Sequence, residues 1–189
     1  MSTITPAVAA QNAIVSAVQA ALDAAIGSSV VGVINGWPDD MANMPSGTFV
    51  VVSAGDLTQE AHVPVPTTKT TAAGIVTQLY DVATWLMNVQ VDVFADYDDQ
   101  RDALTPIVRP VFTNTPWSGH ALLTLSGYHS TKIRVKVTSE SDDDPRGPIP
   151  GRWRHTFEIE AKGEIITSRT WNELQTLALD INGNVTTLE

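Results

Sequence analysis

The chain contains no cysteine, so a disulfide framework and any Cys-ligated metal site are excluded, while the redox compartment stays open. Cations are scarce. Eleven Lys and Arg face 21 Asp and Glu, a formal net charge of −10. A sequence-independent nucleic-acid binder works by neutralising phosphates, and this chain would repel them on average. Such an acidic surface instead suits a wall past which nucleic acid slides without sticking. No apolar run approaches the ~18 residues of a membrane span, and the first residues lack the basic and apolar regions of a secretory signal. No Walker A loop, Rossmann glycine fingerprint or nucleophile elbow occurs: Gly32, Gly36 and Gly47 are too far apart, and Ser118-Gly119 lacks the flanking glycine frame.

A mean hydropathy of zero over 189 residues describes a soluble globular chain, large enough as one domain to bury about 70% of its unfolded surface. Its most informative stretch is Met87 to Leu104. Val89, Val91 and Val93 alternate with Asn88, Gln90 and Asp92, which predicts a strand with one apolar and one polar face. The period then changes. Leu104, Ile107, Val108, Val111 and Phe112 recur at helical spacing behind an acidic opening of Asp96, Asp98 and Asp99, suited to a positive helix N-terminus.

The other elements follow from the same signals. Thr5-Pro6 caps a helix whose stripe runs Val8, Ile14, Val15, Val18, Leu22, Ile26, with Gly27 as its stop. Val30 to Ile34 and Thr48 to Ser53 are β-prone, separated by the Asn35-Gly36 turn signal. Ala54 to Gly74, rich in Thr with Pro64 and Pro66, reads as a long surface loop or an extended arm. Thr77 to Phe94 exceeds an ordinary strand and predicts a bend or bulge near Ala83-Thr84. Pro116 to His120 reads as a loop and Ala121 to Leu125 as a short strand. Lys132 to Thr138 alternates, with Ile133, Val135 and Val137 inward and Lys132, Arg134 and Lys136 outward. Ser139 to Gly151 reads as an irregular loop. Arg152 to Glu160 alternates with Trp153, His155, Phe157 and Ile159 on one face, Lys162-Gly163 permits a turn or bend, and Glu164 to Thr167 continues the strand. No internal repeat is visible. The expected fold class is α+β, an antiparallel-dominated sheet with two helices packed on one face, plus long loops. Residues 1–170 form its single domain and 171–189 a C-terminal extension.

Candidates for chemistry are weak. Asp92, Asp96, Asp98, Asp99 and Asp102 have no glycine turn and no closing Glu, so a solvated helix N-terminus fits better than a calcium loop. The triplet Asp142 to Asp144 reads as a charged loop. His62, His120, His129 and His155 stand in separate segments with no zinc spacing. No catalytic residue, metal or cofactor is expected. Trp85, Trp153 and Trp171 suit the core, whereas Trp37 and Trp117, in Pro-flanked loops, suit either the core or a subunit contact. Lys132, Arg134 and Lys136 form a basic stripe that Arg152 and Arg154 extend. Its bland role is a solvated face paired with Glu158 and Glu160; its functional role is a patch complementary to an acidic neighbouring subunit.

The order of elements, with Val-Gln-Val-Asp-Val-Phe-Ala at Val89 to Ala95 before an acid-capped helix and Arg-Trp-Arg-His-Thr-Phe-Glu-Ile at Arg152 to Ile159, resembles the tail-terminator and neck proteins of tailed bacteriophages. The likeness covers most of Thr5 to Thr167. It implies a small α+β fold without catalytic residues, assembled in the host bacterial cytoplasm as a homo-oligomeric, hexameric ring of the virion tail or neck. Such a ring stops polymerisation of the tail tube, docks to the neck or connector protein, passes genomic DNA without specific binding, and involves no membrane. Asn88, Gln90 and Asp92 then fall on a lumen or an intersubunit surface, and Asp92→Lys is expected to disturb assembly or DNA passage. A tail-tube or baseplate protein, or a small hydrolase, is the alternative.

Overall fold

The computed structural model describes residues 6–28, 30–37, 45–113, 121–124, 132–143, 151–172, 177–179 and 185–187. Helix α1 (Pro6–Ile26) buries Ala9, Ala10, Ile14, Val18 and Leu22 along one stripe and ends at Gly27, whose φ of +99° favours a residue without Cβ. The predicted Thr5 cap lies outside the described residues. Strand β1 (Gly32–Asn35) lies parallel to β2 (Phe49–Ala72), the one parallel pair of a sheet ordered β1-β2-β3-β6-β5-β4. The other strands are β3 (Ile75–Ala95), β4 (Ala121–Thr124), β5 (Lys132–Asp143) and β6 (Trp153–Asn172), all antiparallel to their neighbours apart from that pair. A separate hairpin joins β7 (Leu177–Leu179) to β8 (Val185–Thr187). The architecture is α+β, mostly antiparallel.

One sheet face carries Val50, Val52, Trp85, Met87, Val89, Val91, Val93, Ile133, Val135, Phe157 and Ile159. The stripe of α1 packs there with Leu104 and Val108 of α2 (Asp98–Val108) and Phe112 of α3 (Pro110–Thr113). The single helix expected through Phe112 is broken at Arg109, because Pro110 has no N–H to continue the ladder. Gln19 of α1 closes the exposed side of β1: its Nε2 donates to Val31 O (3.1 Å) and its Oε1 accepts from Val33 N (3.0 Å). A side chain thus takes the place of a further strand.

Of the two readings of Ala54 to Gly74, the extended arm holds and the surface loop does not: β2 continues through it, paired with β3 as far as Ala72↔Ile75. The ladder absorbs Pro64 and Pro66 through register shifts between Ala61 and Val65 and between Pro66 and Lys69. Strand β5 runs through Asp143, so the first part of the predicted loop from Ser139 is paired with β6. Lys162-Gly163 makes no turn: β6 is continuous from Trp153 to Asn172, and Gly163 serves close packing instead. Trp171 belongs to β6 and is 44% exposed, so it is not a core residue. The predicted irregularity in the long strand is found between Asp81 and Ala83.

Candidate subunit interface

Beyond Lys162, where β5 leaves the sheet at Arg134↔Lys162, only β2, β3 and β6 continue together among the described residues. They form an arm. From Ile75 to Trp85 it reaches roughly 35 Å at about 3.3 Å per residue. Residues 58–72 of β2 are all exposed, and among the described residues Val76 is the one buried side chain of the arm beyond Ala83. Exposed apolar side chains sit along it: Val63 (82%), Val65, Ile75 and Trp171. Such a ribbon has almost no core of its own, and its stability depends on the body or on a partner.

The sheet face away from the helices is bare and polar toward the middle of the molecule. Trp37, Ser53, Gly55, Asn88, Gln90, Thr138 and Glu158 line an open groove there. Asn88 is exposed and Gln90 half-buried. Asp92 differs from both. It is fully buried, and its carboxylate accepts from Gln90 Nε2 (2.8 and 3.0 Å), Arg154 Nε (2.9 Å) and Thr156 Oγ1 (2.7 Å). Asp92 is therefore an internal anchor of this face, and the Asp92→Lys test read from sequence would probe folding rather than a channel surface. Next to it Phe49, Val51, Phe94 and Ile34 form a small second core, with Trp37 packed edge-on to Phe94 at 5.7 Å between ring centroids. Trp37 remains 39% exposed despite that contact. Trp117 lies outside the described residues.

The basic residues divide into two groups. Arg152 pairs with Asp96 at 2.6 Å and donates to the backbone carbonyls of Gly47 and Pro45; Arg154 pairs with Asp92 and, at 3.5 Å, with Asp143. Neither extends a free stripe, because carboxylates in their own chain occupy them. Arg134 and Lys136 are exposed on the bare face, as their alternation predicts. Lys136 is in register with Glu160, whereas Arg134 stands opposite Lys162. The side chain of Lys132 lies outside the described residues.

On the helix face, Arg101 pairs with Asp98 (2.5 Å) and Asp102 (2.8 Å) and stacks over Trp153, 5.3 Å from the ring centroid. Burial works against the charge of Arg101, but the hydrogen bond to Asp102 and the charges of Asp142, Asp102 and Asp98 prevail and raise its pKa. The hydrogen bond from Arg109 to Glu140, opposed by partial burial and aided by the charges of Glu140 and Asp142, raises the Arg109 pKa likewise. Buried His155 places Nδ1 2.7 Å from Asp142 Oδ1 and Nε2 3.3 Å from Glu140 Oε2, its ring edge-on to Phe157. Both of these carboxylates also face arginines, with Asp142 3.7 Å from Arg101. The cluster pins α2 and α3 to β5 and β6. Among the described residues no group of three or more His, Asp or Glu side chains converges as metal ligands do, and no helix is long and apolar enough to cross a membrane.

Sequence reasoning missed the apolar residues of the arm and the internal role of Asp92. A signal for the arm exists: the β-prone stretches on either side of Ala73-Gly74 read as a hairpin with a two-residue loop.

No protein-family model matches the chain, and no curated protein sequence matches it. Among solved structures it is similar to the sheath/tube terminator of an extracellular contractile injection system, PVC, determined by cryo-EM in the extended state. The TM-score is 0.51 at 13% identity; the likeness covers 100% of this chain and 65% of that one. The chain thus shares a fold with a structural terminator and spans about 65% of its length.

Proposed function

We propose that the chain is a non-catalytic structural subunit that closes the end of a phage-tail-like tube as a ring, hexameric in the simplest case. The fold likeness to a sheath/tube terminator, over all of this chain and 65% of that one, carries this proposal. The arm supports it. Three strands about 14 Å wide and roughly 35 Å long offer about 500 Å² on each face, and two faces exceed the ~800 Å² per partner of a standard interface. Bonds between identical subunits in a closed ring are the natural use of such a surface. The partners are then the tube protein, a sheath where the particle is contractile, and a neck or connector protein in a DNA-carrying particle. In that particle genomic DNA passes through the lumen, with Asn88 and Gln90 at a lumen or intersubunit surface.

Light scattering on the purified chain, followed by negative-stain imaging of the same sample with and without tail tubes, tests this. Discrete rings, alone or on tube tips, are expected. Long stacks would assign a tail-tube or baseplate role instead. A chain that stays monomeric with tubes present and leaves their ends bare would overturn the proposal.

A further inference from the structure

In a chain of net charge −10, the bare sheet face gathers cations that have no carboxylate partner. Arg101, Arg109, Arg152 and Arg154 are all ion-paired within the chain. Arg134, Lys136 and Lys162 are exposed, lie on neighbouring strands, and make no ion pair with another described residue. Arg134 and Lys162 stand directly opposite each other across β5 and β6. Like charges so placed repel and weaken the pair of strands. Glu158, Glu160 and Glu164 share this face of β6, but none of them makes an ion pair with these cations, so Arg134 and Lys162 stay opposed. An anionic partner would remove the cost.

The opposite side of the subunit carries the complementary charge. The opening of α2 holds Asp96, Asp98, Asp99 and Asp102, all exposed, with Asp142 of β5 close by. Arg101 and Arg152 engage Asp96, Asp98 and Asp102 but leave an acidic excess, and Asp99 makes no ion pair with a described residue. Because α2 packs on the helix face and Arg134 and Lys136 project from the other, the two patches cannot meet within one subunit. We infer that they meet between subunits: the Arg134–Lys136–Lys162 patch of one copy receives the α2 acidic turn of the next. A contact between two different patches on opposite faces is heterologous, and repeated head to tail it gives a ring where the rotation closes and an open filament where it does not. Matched charge there sets orientation and register. The inference rests on the ring proposed above and names its interface.

Charge reversal with rescue tests it. Wild-type chain is first shown to form rings by light scattering, with tail tubes if they are needed. Arg134→Glu with Lys136→Glu should abolish the ring mass while leaving the circular dichroism and unfolding midpoint of the monomer unchanged. Asp99→Lys, at the one acid of that turn that makes no ion pair with a described residue, should do the same. A mixture of the two reversed chains should recover mixed oligomers, because each then offers the patch the other lacks. Rings that survive either reversal, or a mixture that stays monomeric, would overturn this interface and leave the ring itself standing. Failure of the wild-type chain to form rings would overturn both. A duplex DNA probe that is retained by wild-type rings and lost on Arg134→Glu with Lys136→Glu, ring mass intact, would assign the cations to DNA and likewise overturn the subunit contact.

Discussion

The indole of Trp85 lies over Gly163, its register partner on β6, so closely that a Cβ on Gly163 would come within 2.6 Å of Trp85 Cε2. The contact stands where the body of the sheet gives way to the arm. Gly163→Ala should therefore force the buried ring aside and cost roughly 1–3 kcal/mol, the range for overpacking a filled core. Denaturant unfolding checks this. Trp85→Phe in the Gly163→Ala background should recover part of the loss, since the smaller ring leaves room for the methyl group.

Asp92 and Arg154 make the second test. Asp92→Ala leaves the guanidinium of a mostly buried Arg154 without its main partner, together with Gln90 Nε2 and Thr156 Oγ1. Removing one partner of a buried pair costs about 3–5 kcal/mol. The Asp92→Ala, Arg154→Ala double variant should lose less than the sum of the single losses, because the uncompensated charge is gone. Additive losses would show that the pair is not coupled.

At the arm tip, Ala73 holds φ at +50° beside Gly74 at +73°, in the two-residue connection between Ala72 and Ile75. Two successive positive φ values are those of a type I′ hairpin turn, for which Asn-Gly is the favoured pair. Ala73→Asn should raise stability by about 0.5–1 kcal/mol through relief of the left-handed penalty. An unchanged unfolding midpoint would mean that the tip is unfolded before the cooperative transition, as a ribbon with little core could be.

The parts of the fold legible in the sequence are those where one face meets a core. Val89, Val91 and Val93 alternate because α1 and α2 cover only one side, and Ile133 with Val135 and Phe157 with Ile159 follow the same rule. The choice between loop and arm for Ala54 to Gly74 stayed open because both faces of the arm meet solvent, so no alternation marks its strands, and the prolines that break a central strand are tolerated on this edge. Asp92 sits at a polar position of an alternating strand. Its burial depends on Arg154 and Thr156, 62 and 64 residues away along the chain. Periodicity contains no such contact. The basic stripe was visible, but which cations stay unpaired depends on the register of β5 against β6.

Val63 and Trp171 give the sharpest test of what the arm is for. Both are exposed apolar residues, on β2 and β6 of the arm. Substitutions at such surface positions usually change stability by no more than about 0.5 kcal/mol. If the arm touches solvent alone, Val63→Lys and Trp171→Lys should leave both the unfolding midpoint and the oligomer mass where they were. If it binds a neighbour, the midpoint of the monomer should hold while oligomers weaken by tenfold or more, since a charge placed in an apolar contact costs on the order of 1–3 kcal/mol even when partly solvated. Loss of assembly with the monomer intact is the expected result, because nothing else in the described chain covers these side chains. Unaltered assembly would move the subunit contact off the arm and onto the body of the sheet.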